Sequence, residues 1–138
     1  MGLMKITDPG PWPSLERGRS ADVELGEQRA ITWTARDGLE IEGVLMMPTG
    51  YAGGAFPLIV QVHGGPESNH TNGWLSRYAN PGQAFCARGY GVLFINYRGS
   101  TGFGLAFREA IKADGWGGLE QEDIRTGGDA LVAAGIAE

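Results

Sequence analysis

The sequence predicts an α/β domain, an antiparallel hairpin followed by parallel strands joined by crossover helices. Three observations carry that expectation. Residues 31–47 alternate apolar and polar side chains around an Asp37-Gly38 turn, the period of a strand pair with one buried face. Two later runs, Leu58–Val62 and residues 91–97, are almost continuously apolar, as in parallel strands covered on both faces. Glycine, proline and charge then punctuate the intervals as they do at the ends of helices.

The elements follow in order. Residues 1–29 lack long apolar runs and are broken by Pro9, Gly10, Pro11, Pro13 and Gly18, so they read as a linker. From Ala30 a strand pattern begins, with Ile31, Trp33 and Ala35 on one face and Thr32 and Thr34 on the other. Asp37-Gly38 supplies the positive φ of a tight hairpin turn. Leu39, Ile41, Gly43, Leu45 and Met47 return opposite Glu40 and Glu42, and residues 48–54 close the hairpin with a loop. The strand at 58–62 stops at His63-Gly64-Gly65-Pro66. Asn80-Pro81, an N-cap and first-turn pair, and Arg88-Gly89, a C-terminal stop, enclose a short crossover helix. The strand at 91–97 leads into a glycine-rich loop over residues 98–104. Residues 105–113 form another short helix. From Leu119 a final helix places Glu120, Glu122 and Asp123 in its first turns, where the helix dipole favours negative charge. Ile124, Leu131 and Val132 form its apolar stripe. Gly127 and Gly128 cost it about 1 kcal/mol each relative to alanine, or mark close packing on the sheet.

Composition narrows the function classes. At 138 residues, with 42% hydrophobic and 20% charged side chains, the chain suits one soluble domain with its own core. Its 24 glycines lack collagen periodicity and sit at the ends of apolar runs, as tight turns require. A net charge of −5 without a Lys/Arg cluster argues against nucleic acid or an anionic membrane as partner. No apolar stretch approaches the ~20 residues of a membrane span. The N-terminus carries neither a secretory signal nor a myristoylation pattern, so a cytoplasmic location is the default expectation. Cys86, the single cysteine, has no disulfide partner within the chain and reads as a small buried hydrophobe. Asn69-His70-Thr71 matches a glycosylation sequon, which has little meaning without a secretory signal.

Several residues invite chemistry and are weighed against plainer readings. His63 ends a strand and reads as a histidine hydrogen-bonded into the following loop. His63 and His70 alone, seven apart with no third ligand nearby, make a poor metal site. The loop over 98–104 matches neither a dinucleotide fingerprint nor a Walker pattern, so nucleotide binding is not expected. Ser100 within it looks like an exposed turn serine. None of Ser14, Ser20, Ser68, Ser76 and Ser100 lies in Gly-x-Ser-x-Gly, the elbow that presents a hydrolase nucleophile. Trp33, Trp74 and Trp116 read as core. The glycines of His63-Gly64-Gly65-Pro66 suit a turn where bare backbone N–H groups approach a reacting carbonyl.

Taken together, four stretches resemble the prolyl oligopeptidase family of serine peptidases, its acylaminoacyl-peptidase and dipeptidyl-peptidase branch in particular. They are Ile31-Thr32-Trp33 with residues 37–43, residues 57–66 ending in His-Gly-Gly-Pro, residues 89–104, and Trp116-Gly117-Gly118 before an acidic helix. The resemblance covers about residues 30–138 and implies the N-terminal part of an α/β-hydrolase catalytic domain, an incomplete α/β-hydrolase fold. Residues 1–29 then correspond to a linker or the tail of a preceding β-propeller. The family hydrolyses short peptides through Ser, Asp and His without metal or cofactor. By that pattern Gly64 and Gly65 form the oxyanion-hole loop, Gly65 being the favoured donor, and His63, Pro66, Tyr97 and Arg98 border the substrate cleft. The nucleophile, acid and base are expected beyond Glu138, so residues 1–138 are expected to be a fragment, inactive by themselves. Apolar strands without their later neighbours are expected to self-associate. Two other readings stand beside this one. An esterase of small molecules would more often show His-Gly-Gly-Gly than the Pro66 variant. A half-hydrolase retained as an interaction module would need no nucleophile at all.

Overall fold

A computed structural model describes residues 5–7 and 23–138. Five strands, β1 (Lys5–Thr7), β2 (Gln28–Thr34), β3 (Glu40–Met46), β4 (Leu58–Val62) and β5 (Gly91–Asn96), form one sheet in the order β1-β2-β3-β5-β4. The first three and the β3–β5 pair run antiparallel, and β4 and β5 are parallel. Helix α1 (Gly82–Cys86) lies on the crossover from β4 to β5; α2 (Leu105–Glu109), a 3₁₀ turn (Ala110–Ala113) and α3 (Leu119–Ala133) follow β5. This is the α/β arrangement the sequence predicts.

Alternation along the strands sorts the core onto two faces. Ile31, Trp33, Ile41, Leu93 and Ile95 pack with Phe107, Ile111 and Leu131 from the later helical segments. Val44, Met46, Val92 and Phe94 pack on the other face with Cys86 of α1. Every residue of β5 is buried, as its apolar run demands. β4 departs from the same expectation: Val60 and Val62 are exposed and the rest of the strand is only half-buried. Its composition is that of a central strand, yet among the described residues only β5 pairs with it, leaving an open edge.

Further details differ from the sequence reading: Trp74 and Trp116, read as core, are 46% and 77% exposed, and Val132 of the expected α3 stripe is 54% exposed, so of these tryptophans only Trp33 is core. The stretch 1–29 was expected to be a linker, but Lys5–Thr7 pair antiparallel with β2, and β2 itself begins at Gln28. The rest of that stretch up to residue 22 lies outside the described residues. Asn80 does not cap α1, because its backbone is engaged in a reciprocal pair with Arg77. Ser76 caps instead, its Oγ accepting from Gln83 N–H at 2.9 Å. Of the two glycines in α3, Gly127 is the packing one: a Cβ there would lie 2.7 Å from the Trp33 ring, whereas Gly128 faces open space.

Candidate active site

At the C-terminal end of β4 the chain turns through His63-Gly64-Gly65-Pro66 beside the loop that leaves β5. Gly65 has φ +138, a left-handed value, and a Cβ there would meet Glu67 N at 2.7 Å, so only glycine fits. Gly64 and Gly65 are both exposed, and neither amide N–H donates to another group among the described residues. Two free N–H groups on a fixed turn are the hardware for stabilising a developing negative charge.

The turn is fixed from behind by β5 and its loop. Tyr97 Oη–H donates to the His63 carbonyl at 2.8 Å, and its ring stacks on the His63 ring with centroids 4.8 Å apart. Asn96, fully buried, accepts from His70 N–H at 2.7 Å and donates to His70 O at 2.8 Å. Thr101 N–H donates to Ser68 O, and Asn69 Nδ2 donates to Thr101 O at 3.1 Å. Residues 63–70 are thus sewn to residues 96–101 by backbone and side-chain bonds that barely involve the exposed face.

His63 is the hinge pin of this arrangement. Its Nε2 lies 2.9 Å from Ser100 Oγ, and Ser100 Oγ lies 2.6 Å from Tyr97 O. A carbonyl only accepts, so the single hydroxyl proton of Ser100 goes to Tyr97 O and His63 Nε2–H donates to Ser100. The other ring nitrogen, Nδ1, sits 3.2 Å from Gly64 O, the carbonyl of the very peptide that carries Gly65 N–H. Burial holds the His63 imidazole below its ordinary value, and the Gly64 contact opposes that shift by favouring the protonated ring. With Nε2–H committed to Ser100, the neutral ring carries only a lone pair at Nδ1, so a bond from Nδ1–H to Gly64 O forms only when His63 is protonated.

His70 closes the cluster, its ring edge-on to His63 and to Phe94 at 5.1 Å each. Its Nε2 is buried without a hydrogen-bond partner. Burial, then the charges of His63 and Arg77, push its pKa down to about 4 from 6.5. The folded pKa lies below the unfolded one, so acid protonates the unfolded chain first. Stability is then full above about pH 6.5 and declines as pH falls toward 4, by about 2–3 kcal/mol at 1.36 kcal/mol per unit. Urea unfolding across that interval is expected to show this slope and His70→Phe to flatten it; an unchanged slope in His70→Phe would assign it elsewhere.

The residues singled out from sequence separate clearly. His63, Gly64, Gly65, Pro66 and Tyr97 come together around the turn, with Tyr97 acting from beneath it, buried. Arg98, expected at the cleft border, points into the domain: its side chain is 4% exposed and held between Asp37 and Asp123. Ser100, expected to be exposed, is 0% exposed and serves the clamp. Asn96 and Asp123 were not singled out for these roles, because a buried polar residue inside an apolar run carries no local signal of its partner. Among the described residues no cluster of three or more His, Cys, Asp or Glu could hold a metal ion, and no helix is long and apolar enough to cross a membrane.

Residues 77–138 match the Prolyl oligopeptidase family. An uncharacterized peptidase, YuxL, of Bacillus subtilis is 33% identical over 115 residues, which are 83% of this chain and 16% of that protein. A probable dipeptidyl-peptidase 5 of Emericella nidulans is 37% identical over 120 residues, again 83% and 16% of the two chains. A Mycobacterium tuberculosis puromycin-hydrolyzing peptidase superposes with a TM-score of 0.71 at 32% identity, covering 82% of this chain and 17% of its own. An acylaminoacyl peptidase of Pyrococcus horikoshii gives 0.66 at 28% identity, covering 86% and 18%. The chain therefore spans about a sixth of the length of the curated relatives it matches.

Proposed function

This chain belongs to the prolyl oligopeptidase family, and on that premise we propose that residues 30–138 supply the oxyanion half of a serine peptidase site acting on short peptides. The observation that carries the proposal is the clamped His63–Pro66 turn with two free, exposed amides at Gly64 and Gly65. In acyl transfer the scissile carbonyl oxygen gains charge as a serine attacks, and donors already in place stabilise it without reorganisation. Gly65 N–H is the principal donor, because Gly65 alone holds the φ of +138 that sets its exposed peptide unit in this turn. Pro66 and the outer face of residues 98–104 border the cleft, while Tyr97 and Ser100 keep the turn in register.

The nucleophile, acid and base are supplied from outside residues 1–138. No serine here has the elbow sequence, and Ser100, although 2.9 Å from a histidine, is sealed from solvent. His63 cannot serve as triad base while its Nε2 donates to Ser100. The 138-residue polypeptide is accordingly expected to give no turnover above buffer with chromogenic peptides or acyl esters. Turnover that persists through repurification and disappears with a serine-directed acylating reagent would overturn this division of labour. The open β4 edge supports self-association of the isolated polypeptide, with no charged side chain along Leu58–Val62 to oppose it.

A further inference from the structure

Beside the Gly64–Gly65 turn lies a cleft of about 450 Å³, within the size range of small-ligand sites. One wall is Val62, His63 and Gly64, and the other comes from residues 68–80. No aspartate or glutamate lines it. Its cation is Arg77, which forms no ion pair and no side-chain hydrogen bond among the described residues. The Arg77 backbone is nevertheless fixed, by bonds of 3.0 Å in each direction with Asn80. Ser68 and Thr71 add hydroxyls that have no side-chain partner among the described residues, and His70 adds the buried, unpartnered Nε2 noted above. An unpaired guanidinium beside free hydroxyls, with no carboxylate nearby, is built for an anion.

We propose that this cleft binds the free carboxylate at the carboxyl end of a peptide substrate, with Arg77 as its partner. The inference rests on the peptidase reading, because the cleft shares His63 and Gly64 with the turn that would hold the scissile carbonyl. A carboxylate seated there lies a short length of chain from that carbonyl, which selects peptides that end soon after the cleaved bond. The space favours a peptide end over an inorganic ion. A phosphate or sulfate would fill a small part of the cleft, whereas a terminal residue also covers the half-exposed indole of Trp74 on its rim.

The test is binding to the 138-residue chain, followed by backbone NMR shifts of residues 62–80. N-acetyl-alanyl-alanine is expected to bind about tenfold or more tightly than its carboxyl-terminal amide. Arg77→Gln is expected to erase that preference and Arg77→Lys to retain most of it, since lysine keeps the charge but not the fork. Inorganic phosphate is expected to bind more weakly than the peptide acid. Equal binding of acid and amide, or a preference that survives Arg77→Gln, would overturn the assignment. Phosphate binding as tightly as the peptide acid would reduce the cleft to a general anion site. No hydrolysis enters the measurement, so these outcomes are independent of whether the oxyanion reading holds.

Discussion

Replacing the Gly65 amide by an ester, in a polypeptide that joins residues 1–138 to a nucleophilic serine, is expected to lower kcat by about 10²–10³-fold with little change in KM. The exchange removes one N–H and adds no Cβ, so it respects the φ of +138 that any side chain would strain. Alanine is a poorer probe, because its Cβ would lie 2.7 Å from Glu67 N. Proline is poorer still, since it fixes φ near −65°. The same ester exchange at Gly64 separates the two donors: a larger loss there than at Gly65 would transfer the role. His63→Ala acts on the same turn from behind, by removing the ring that stacks on Tyr97 and donates to Ser100 Oγ. A loosened donor is expected to cost about 10–10²-fold in kcat. If the Gly65 ester left kcat within about twofold of the parent, Gly65 would not be an oxyanion donor.

The sequence is most legible where function depends on backbone. His63-Gly64-Gly65-Pro66 after an apolar run announces a strand ending in a glycine turn, and the free amides are found there. The hairpin around Asp37-Gly38 and the fully buried β5 follow from period and composition alone. What a linear reading misses is contact over long separations. Arg98 stands next to Tyr97 and looks like a residue of the same loop face, but its partners are 61 and 25 residues away, at Asp37 and Asp123. Ser100 sits among glycines, the usual surroundings of an exposed turn, and is buried because His63, 37 residues earlier, folds over it. β4 reads as a central strand because side chains record burial in the sheet they were selected for, whereas exposure depends on which neighbours are present. Asn80 satisfies the local rule for a cap, and a backbone pairing with Arg77 takes precedence.

Arg98→Met is expected to destabilise the domain by about 3–5 kcal/mol, the usual cost of removing one member of a buried ion pair. Asp123 is 0% exposed, and its carboxylate accepts from Arg98 Nε, Nη2 and backbone N–H, each at 2.8–2.9 Å. Methionine leaves that charge buried with only the backbone bond. Asp37 on the other flank has a side chain 38% exposed and accepts from the same guanidinium. Its loss is expected to cost less than about 1 kcal/mol, because water replaces much of what Arg98 supplies. The hydrogen bond to Arg98 holds the Asp37 carboxyl below its ordinary 3.8, so the contribution of Asp37 is fully present above that pH and fades as acid protonates it. The contrast between the two aspartates is therefore best measured near pH 7 as urea midpoints. Pairing Arg98→Met with Asp123→Leu is expected to recover part of the lost stability, because it removes the stranded charge but leaves the Arg98 backbone N–H without its acceptor. A double variant as unstable as Arg98→Met alone would mean that the cost lies in the joint itself. The guanidinium ties the β2–β3 turn, the end of β5 and α3 together at one point, and apolar packing would then be unable to take over that connection.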